Sequence, residues 1–229
     1  YSLISKKQIN KRMKSYFDMF YEEGALHSFA AEDFEEVTCQ HPDKIEKCQF
    51  DENGMYVNVE NIGSRGLTEF KYHGDLMMVC DCAAQVKVDK RTLPVFVGKY
   101  VVGPAAYAES DPIIIYVKPK EGDQRGLPPT NVQDKEKVFD DEFMSVYSNN
   151  KKWEKTINAK VVAQLHNFVV GNELVDIAIS VNNGKAYVCL GFDDPLMVLP
   201  LEKQFNPNPA IEYKSVIEVT AKLIEEFSK

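Results

Sequence analysis

The chain has no N-x-S/T sequon in its 229 residues, and its five cysteines are an odd number. For a chain of this size, both facts argue against a disulfide-stapled secreted fold and for reduced thiols in the cytoplasm. No apolar run approaches the roughly 20 residues a helix needs to cross a bilayer, and no signal-peptide pattern is visible. Positive charge is scarce: 27 Lys and Arg face 35 Asp and Glu, giving a net charge of −8 and a pI near 5.1. Such a surface repels phosphate backbones and argues against a nucleic-acid partner. There is no G-x-S-x-G elbow. Gly63-Ser64-Arg65-Gly66 is too short for a phosphate loop and introduces no helix. No cofactor fingerprint is present, so none is expected.

What remains is the composition of a folded domain, 44% hydrophobic and 27% charged, which is enough to bury a real core. Residues 4–27 carry Ile9, Met13, Phe17 and Phe20 at three- and four-residue spacing, the stripe of an amphipathic helix ending near Gly24. Lys6, Lys7, Lys11, Arg12 and Lys14 precede any acid in that helix. They form either a solvated face or a basic segment facing a partner or an anionic membrane. The chain opens on Tyr1, and a membrane anchor upstream of it is expected on that second reading.

Residues 29–37 are expected as a second, short helix. From about 50 to 118 the pattern changes to alternation: "GMYVNVENI", "DLMMVCDCAAQVKV", "LPVFVGKYVVG" and "PIIIYVK" read as strands of an antiparallel meander. Ile113–Ile115 reads as a strand buried on both faces. Residues 119–137 hold two Gly and three Pro and almost no apolar side chains, the composition of a long loop. The resulting division is 1–118, a helix plus a strand-rich region; 119–137, a linker; and 138–229, with the two outer parts able to form one compact domain. In the last part "FMSVYS" is a strand. Thr156 opens a helix striped by Ile157, Val161, Leu165 and Phe168 and stopped at Gly171. Asn183-Gly184 turns a hairpin, and Asn208-Pro209 starts a final amphipathic helix. The expected fold class is α+β: antiparallel sheet with amphipathic helices packed on one face, and a long N-terminal helix.

"FDDEFMSVYSNNKKWEKTINAKVVAQLHNF", then "VDIAISVNNGKAYVCLGFDDPLM" and the last helix, resemble the bacterial domain-of-unknown-function family 3137 over roughly residues 134–229. The resemblance implies hydrophobic helices upstream of a soluble part, and it implies no catalytic residue.

Candidate chemistry is sparse. Asp140, Asp141 and Glu142 stand between Phe139 and Phe143. Three consecutive acids point different ways, so they suit a solvated corner better than a cation site or an acid/base pair. Cys39, His41, Cys48, Cys80 and Cys82 offer enough thiols and imidazole for zinc, but their spacing lacks paired C-x2–4-C knuckles. His73 precedes Gly74 in a turn and could act as a base with Asp75 or Asp81. Trp153, Tyr147 and Tyr187 could cluster on one sheet face. Two readings stay open. One is a non-enzymatic cytoplasmic domain of a membrane-associated protein that binds a protein partner or itself. The other is a small-ligand-binding or metal-dependent enzyme with a pocket between the two halves.

The chain is expected to sediment with anionic vesicles at low salt, and reversing the charges of Lys6, Lys7, Lys11, Arg12 and Lys14 is expected to weaken that binding by roughly a thousandfold or more, at about 1 kcal/mol per cation. Equal sedimentation of both proteins would remove the role of this segment.

Overall fold

A computed structural model describes residues 33–40, 44–118, 128–171, 176–191 and 208–229. The expected N-terminal helix, with its five cations, lies outside the described residues, as does His41. The described chain builds one nine-stranded antiparallel sheet in the order β1-β2-β3-β4-β9-β8-β5-β7-β6. Its strands are β1 (Phe34–Gln40), β2 (Val59–Tyr72), β3 (Asp75–Val88), β4 (Arg91–Pro104), β5 (Ile113–Val117), β6 (Lys137–Asp140), β7 (Met144–Tyr147), β8 (Asp176–Asn182) and β9 (Lys185–Gly191). The helices are α1 (Lys47–Asp51), α2 (Trp153–Thr156), α3 (Ala159–Gly171) and α4 (Asn208–Ser228).

The α+β expectation is therefore corrected to a mostly β architecture in which strand far exceeds helix. Two things produce the difference. Of the helix expected at 29–37, residues 29–32 lie outside the described residues and 34–37 are strand β1, because Phe34 to Gln40 pair with Tyr72 to Leu67 on the neighbouring strand, and tertiary pairing outweighs weak helical propensity. Also, β2, β3 and β4 are each 14 residues long, well beyond the usual five or six or so. Bulges interrupt the pairing of these long strands and let them bend: between Arg65 and Thr68, where Gly66 has φ +64°, and between Ala84 and Gln85.

Two-residue turns link the long strands. His73-Gly74 joins β2 to β3 and Asn183-Gly184 joins β8 to β9, with positive φ at all four residues. The turn from β3 to β4 has Asp89 at φ +57°.

Strand alternation divides the core into two layers. On one face Met77, Val79, Val101, Ile113, Ile115, Val188 and Leu190 pack with Val161 and Leu165 of α3 and with Ile217, Ala221, Leu223, Ile224 and Phe227 of α4. On the other face the segment 44–59, with Phe50 of α1, Met55 and Tyr56, covers Cys80, Cys82, Tyr100, Ile114, Tyr187 and Cys189. Each fully buried large apolar side chain contributes roughly 1.5–3 kcal/mol. Helical cover is thus not confined to one face. "GMYVN" is also not a strand: Met55 and Tyr56 are both buried while Val57 is 43% exposed, because the chain crosses the sheet there as a loop.

The seam between β4 and β9 is tight. A Cβ on Gly98 would lie 1.8 Å from the Leu190 carbonyl oxygen, and one on Gly103 would lie 2.7 Å from Ile224 Cγ2. Gly98→Ala is therefore expected to cost about 3 kcal/mol in urea unfolding, because the obstacle is backbone and cannot rotate away. An unchanged midpoint would show that the two strands are not this close.

Candidate functional site

The corner at 138–150 is structural. Asp141 Oδ1 accepts hydrogen bonds from the backbone N–H of Phe143 at 2.8 Å and of Met144 at 2.7 Å. Asp140 accepts from the Ser145 hydroxyl at 2.6 Å and pairs with Lys118 at 2.8 Å and Lys137 at 3.4 Å. Hydrogen bonds from Lys118 and then Ser145 hold its carboxyl well below the usual range. Phe139 and Phe143 are half-buried against the helix-side core, and Glu142 is exposed. The acids close a turn between two aromatic anchors and, among the described residues, share no common ligand point.

The zinc candidates are scattered. Cys39 lies on β1. Cys48 is exposed on α1, whereas Cys80 and Cys82 are buried on β3. No group of three or more His, Cys, Asp or Glu among the described residues could hold a metal ion. Cys80, Cys82 and Cys189 share one sheet face, where burial pushes each thiol above its ordinary range and disfavours the thiolate. Tyr187 donates to Glu52 Oε2 at 3.5 Å, and its phenol is pushed up to about 12 by burial and by that carboxylate.

His73 does not meet Asp75 or Asp81. Its Nδ1 is 3.6 Å from Glu225 on α4, and its ring lies 4.2 Å from that of Tyr72. Asp75 accepts instead from the Ser228 hydroxyl at 3.4 Å. His166 stacks on Phe143 at 3.8 Å. Trp153 packs on the helix side while Tyr187 and Tyr147 belong to the opposite layer, so the three do not form one patch.

Two features have residues that the sequence did not point to. The first is a charge row across three strands. Arg65, Asp81 and Lys99 are register partners on β2, β3 and β4. Lys99 Nζ donates to Asp81 Oδ1, and Arg65 Nε reaches Oδ2 at 3.3 Å. The Lys99 side chain is 2% exposed and that of Asp81 6%. Burial pulls the Lys99 ammonium down from its ordinary pKa, and the Asp81 carboxylate restrains the fall. An Asp between two cysteines gave the only hint, since period two turns it away from the thiol face. The second feature is an open depression of about 330 Å³ lined by Ala106, Tyr107, Lys155, Asn158 and Phe227 among others. The lysines on its rim are largely paired, Lys152 with Glu109 and Lys229 with Glu226 at 2.7 Å. Asn158 Oδ1 caps α3 by accepting from Lys160 and Val161 N–H, so the cap falls two residues after the expected Thr156.

No protein-family model matches the chain, and no curated protein gives a match. Among solved structures, the mycobacterial trehalose monomycolate transport factor A, TtfA, is similar with a TM-score of 0.39 and 10% identity, over 93% of this chain and 97% of that one. A likeness at that level carries no argument about this chain. No helix among the described residues is long and apolar enough to cross a membrane.

The thiol layer makes stability depend on pH. Cys80, Cys82 and Cys189 keep protons in the fold that the unfolded chain releases from about pH 8.5 upward. Stability is therefore full below that pH and falls above it, by up to about 1.4 kcal/mol per pH unit for each thiol. Lys99 acts in the opposite direction, because its folded pKa is lowered, but it is one group against three. Urea unfolding between about pH 7 and pH 10 is expected to show the decline, and Cys189→Ala is expected to flatten it. A flat profile for the parent protein would mean that the thiols reach water.

Proposed function

We propose that this chain is a non-catalytic binding domain of a membrane-associated protein, working by contact with a protein partner or a second copy. One observation carries the reading: the outer halves of β2, β3 and β4 continue past the end of β9 as a three-stranded arm. β9 pairs with β4 only from Gly98 to Pro104, so residues 91–97 have β3 alone beside them among the described strands. On the helix side of that arm Gly63, Ala83 and Val97 are in register. A Cβ on Gly63 would meet nothing within 4 Å, and Val97 is 36% exposed. A flat strip of small side chains on a rigid sheet suits a docking partner. The resemblance over residues 134–229 and the basic segment 6–14 support the membrane-associated part.

The second reading, a ligand pocket, rests on the open depression, which lies between segments on either side of residues 119–137. Its rim charges are largely paired with one another, and it holds no acid and base set apart by their surroundings.

Sedimentation velocity over a range of protein concentrations is expected to show self-association. Val97→Glu should reduce it at least tenfold in dissociation constant, since it sets a charge in a desolvated contact, while thermal unfolding stays unchanged. A stoichiometric transition metal in the purified protein, or one strong stabiliser in a small-ligand thermal-shift screen, would shift the conclusion to the pocket.

A further inference from the structure

We propose that the turn between β3 and β4, at the far end of the arm, is a contact point for an anionic lipid surface. The inference deepens the membrane-associated reading above and rests on it. Lys87, Lys90 and Arg91 fall within five residues of one another, and all are exposed. None of the three enters an ion pair among the described residues. Many cations elsewhere are paired, as in Lys71–Glu36 at 2.7 Å, Lys118–Asp140 at 2.8 Å and Lys185–Glu52 at 3.0 Å, and what distinguishes Lys87, Lys90 and Arg91 is that three unpaired cations gather at one exposed hairpin end. Asp89, in the turn itself, is the one acid among the three cations, and Glu60 is exposed on the neighbouring strand.

The register shows how these charges are displayed. Lys87 lies opposite Thr92, and Arg91 lies opposite Val88, so Lys87 and Arg91 belong to opposite faces and Lys90 sits at the apex. The cations ring the end of the hairpin and do not coat one side of it. Leu93, 38% exposed, shares the face of Arg91. Six residues of strand lie between Arg91 and the last pairing with β9, at Gly98, a span of about 20 Å.

That distance reconciles a basic contact with an acidic chain. Charges are screened over about 8 Å at physiological ionic strength, so the net −8 of the protein is largely invisible at the tip. Near a negatively charged membrane the same asymmetry turns the molecule tip first. The two-residue turn fixes the backbone that carries the cations, so no loop has to be ordered on contact. A lipid surface fits better than a nucleic acid because the exposed apolar neighbour is an aliphatic leucine, which can enter a headgroup layer, and the nearby Phe96 is buried and unable to stack on a base.

The test is flotation with vesicles of phosphatidylcholine containing phosphatidylserine, using the full chain. Changing Lys87, Lys90 and Arg91 together to Gln is expected to weaken binding about a hundredfold, at about 1 kcal/mol per cation. Leu93→Ser should weaken it further, and high salt should abolish it. Melting temperature checks that the variants fold, which six consecutive exposed residues from Asp89 to Pro94 make feasible. If the triple variant binds like the parent while charge reversal at Lys6, Lys7, Lys11, Arg12 and Lys14 releases it, the tip proposal falls and the membrane reading stands. If the parent ignores anionic vesicles altogether, or binds an RNA oligomer equally well at the same salt, both the tip and the lipid reading are overturned.

Discussion

The ladder from Gly98 to Pro104 on β4 against Lys185 to Gly191 on β9 joins the long meander β2–β3–β4 to the short strands β5 to β9. α4 lies over that join, placing Ile217, Ala221, Ile224 and Phe227 in the same layer as Val101 and Val188. Close approach here depends on having no side chain at Gly98 and Gly103. Where the ladder ends, the helix cover thins out, and the remaining halves of the three long strands form the arm. The seam thus sets both the core and the extent of the exposed arm.

The polar groups of the interior follow from the same geometry. Alternation along β3 sends Cys80 and Cys82 to one layer and Asp81 to the other. In the first layer, burial keeps the thiols protonated and chemically quiet. In the second, Asp81 meets Lys99 and Arg65 in a cross-strand row. A buried pair of this kind is weak evidence for added stability, but its partners must match, so it disfavours slipped registers of three very long strands. Slippage by one residue would bring Asp81 into the thiol layer.

Much of this was legible locally. The hairpin at Asn183-Gly184, the turn at His73-Gly74 and the apolar stripe of α4 follow from short-range rules. The double burial of Ile113 to Ile115 was also readable, with Ile114 in one layer and its neighbours in the other. β1 was not readable, because Phe34–Gln40 becomes a strand only through its partner residues 67–72. The continuity of β2 through Gly63 and Gly66 was hidden as well, since glycines in a strand read as punctuation until a bulge accommodates them.

The candidate sites divide in the same way. Charge balance, the poor spacing of the cysteines and the three consecutive acids are properties of the chain itself: the first argued against a nucleic-acid partner, the other two against a metal or acid/base centre. Which ionisable groups meet was decided only in three dimensions. His73 lies by Glu225 of a helix 152 positions away in the chain. Lys99 lies by Asp81, whereas Lys87, Lys90 and Arg91 around the β3–β4 turn enter no ion pair among the described residues, although Asp89 stands between them. Local pattern follows from backbone geometry repeating every two or 3.6 residues, whereas the meeting of distant charges depends on strand order and register, which no short stretch of sequence contains.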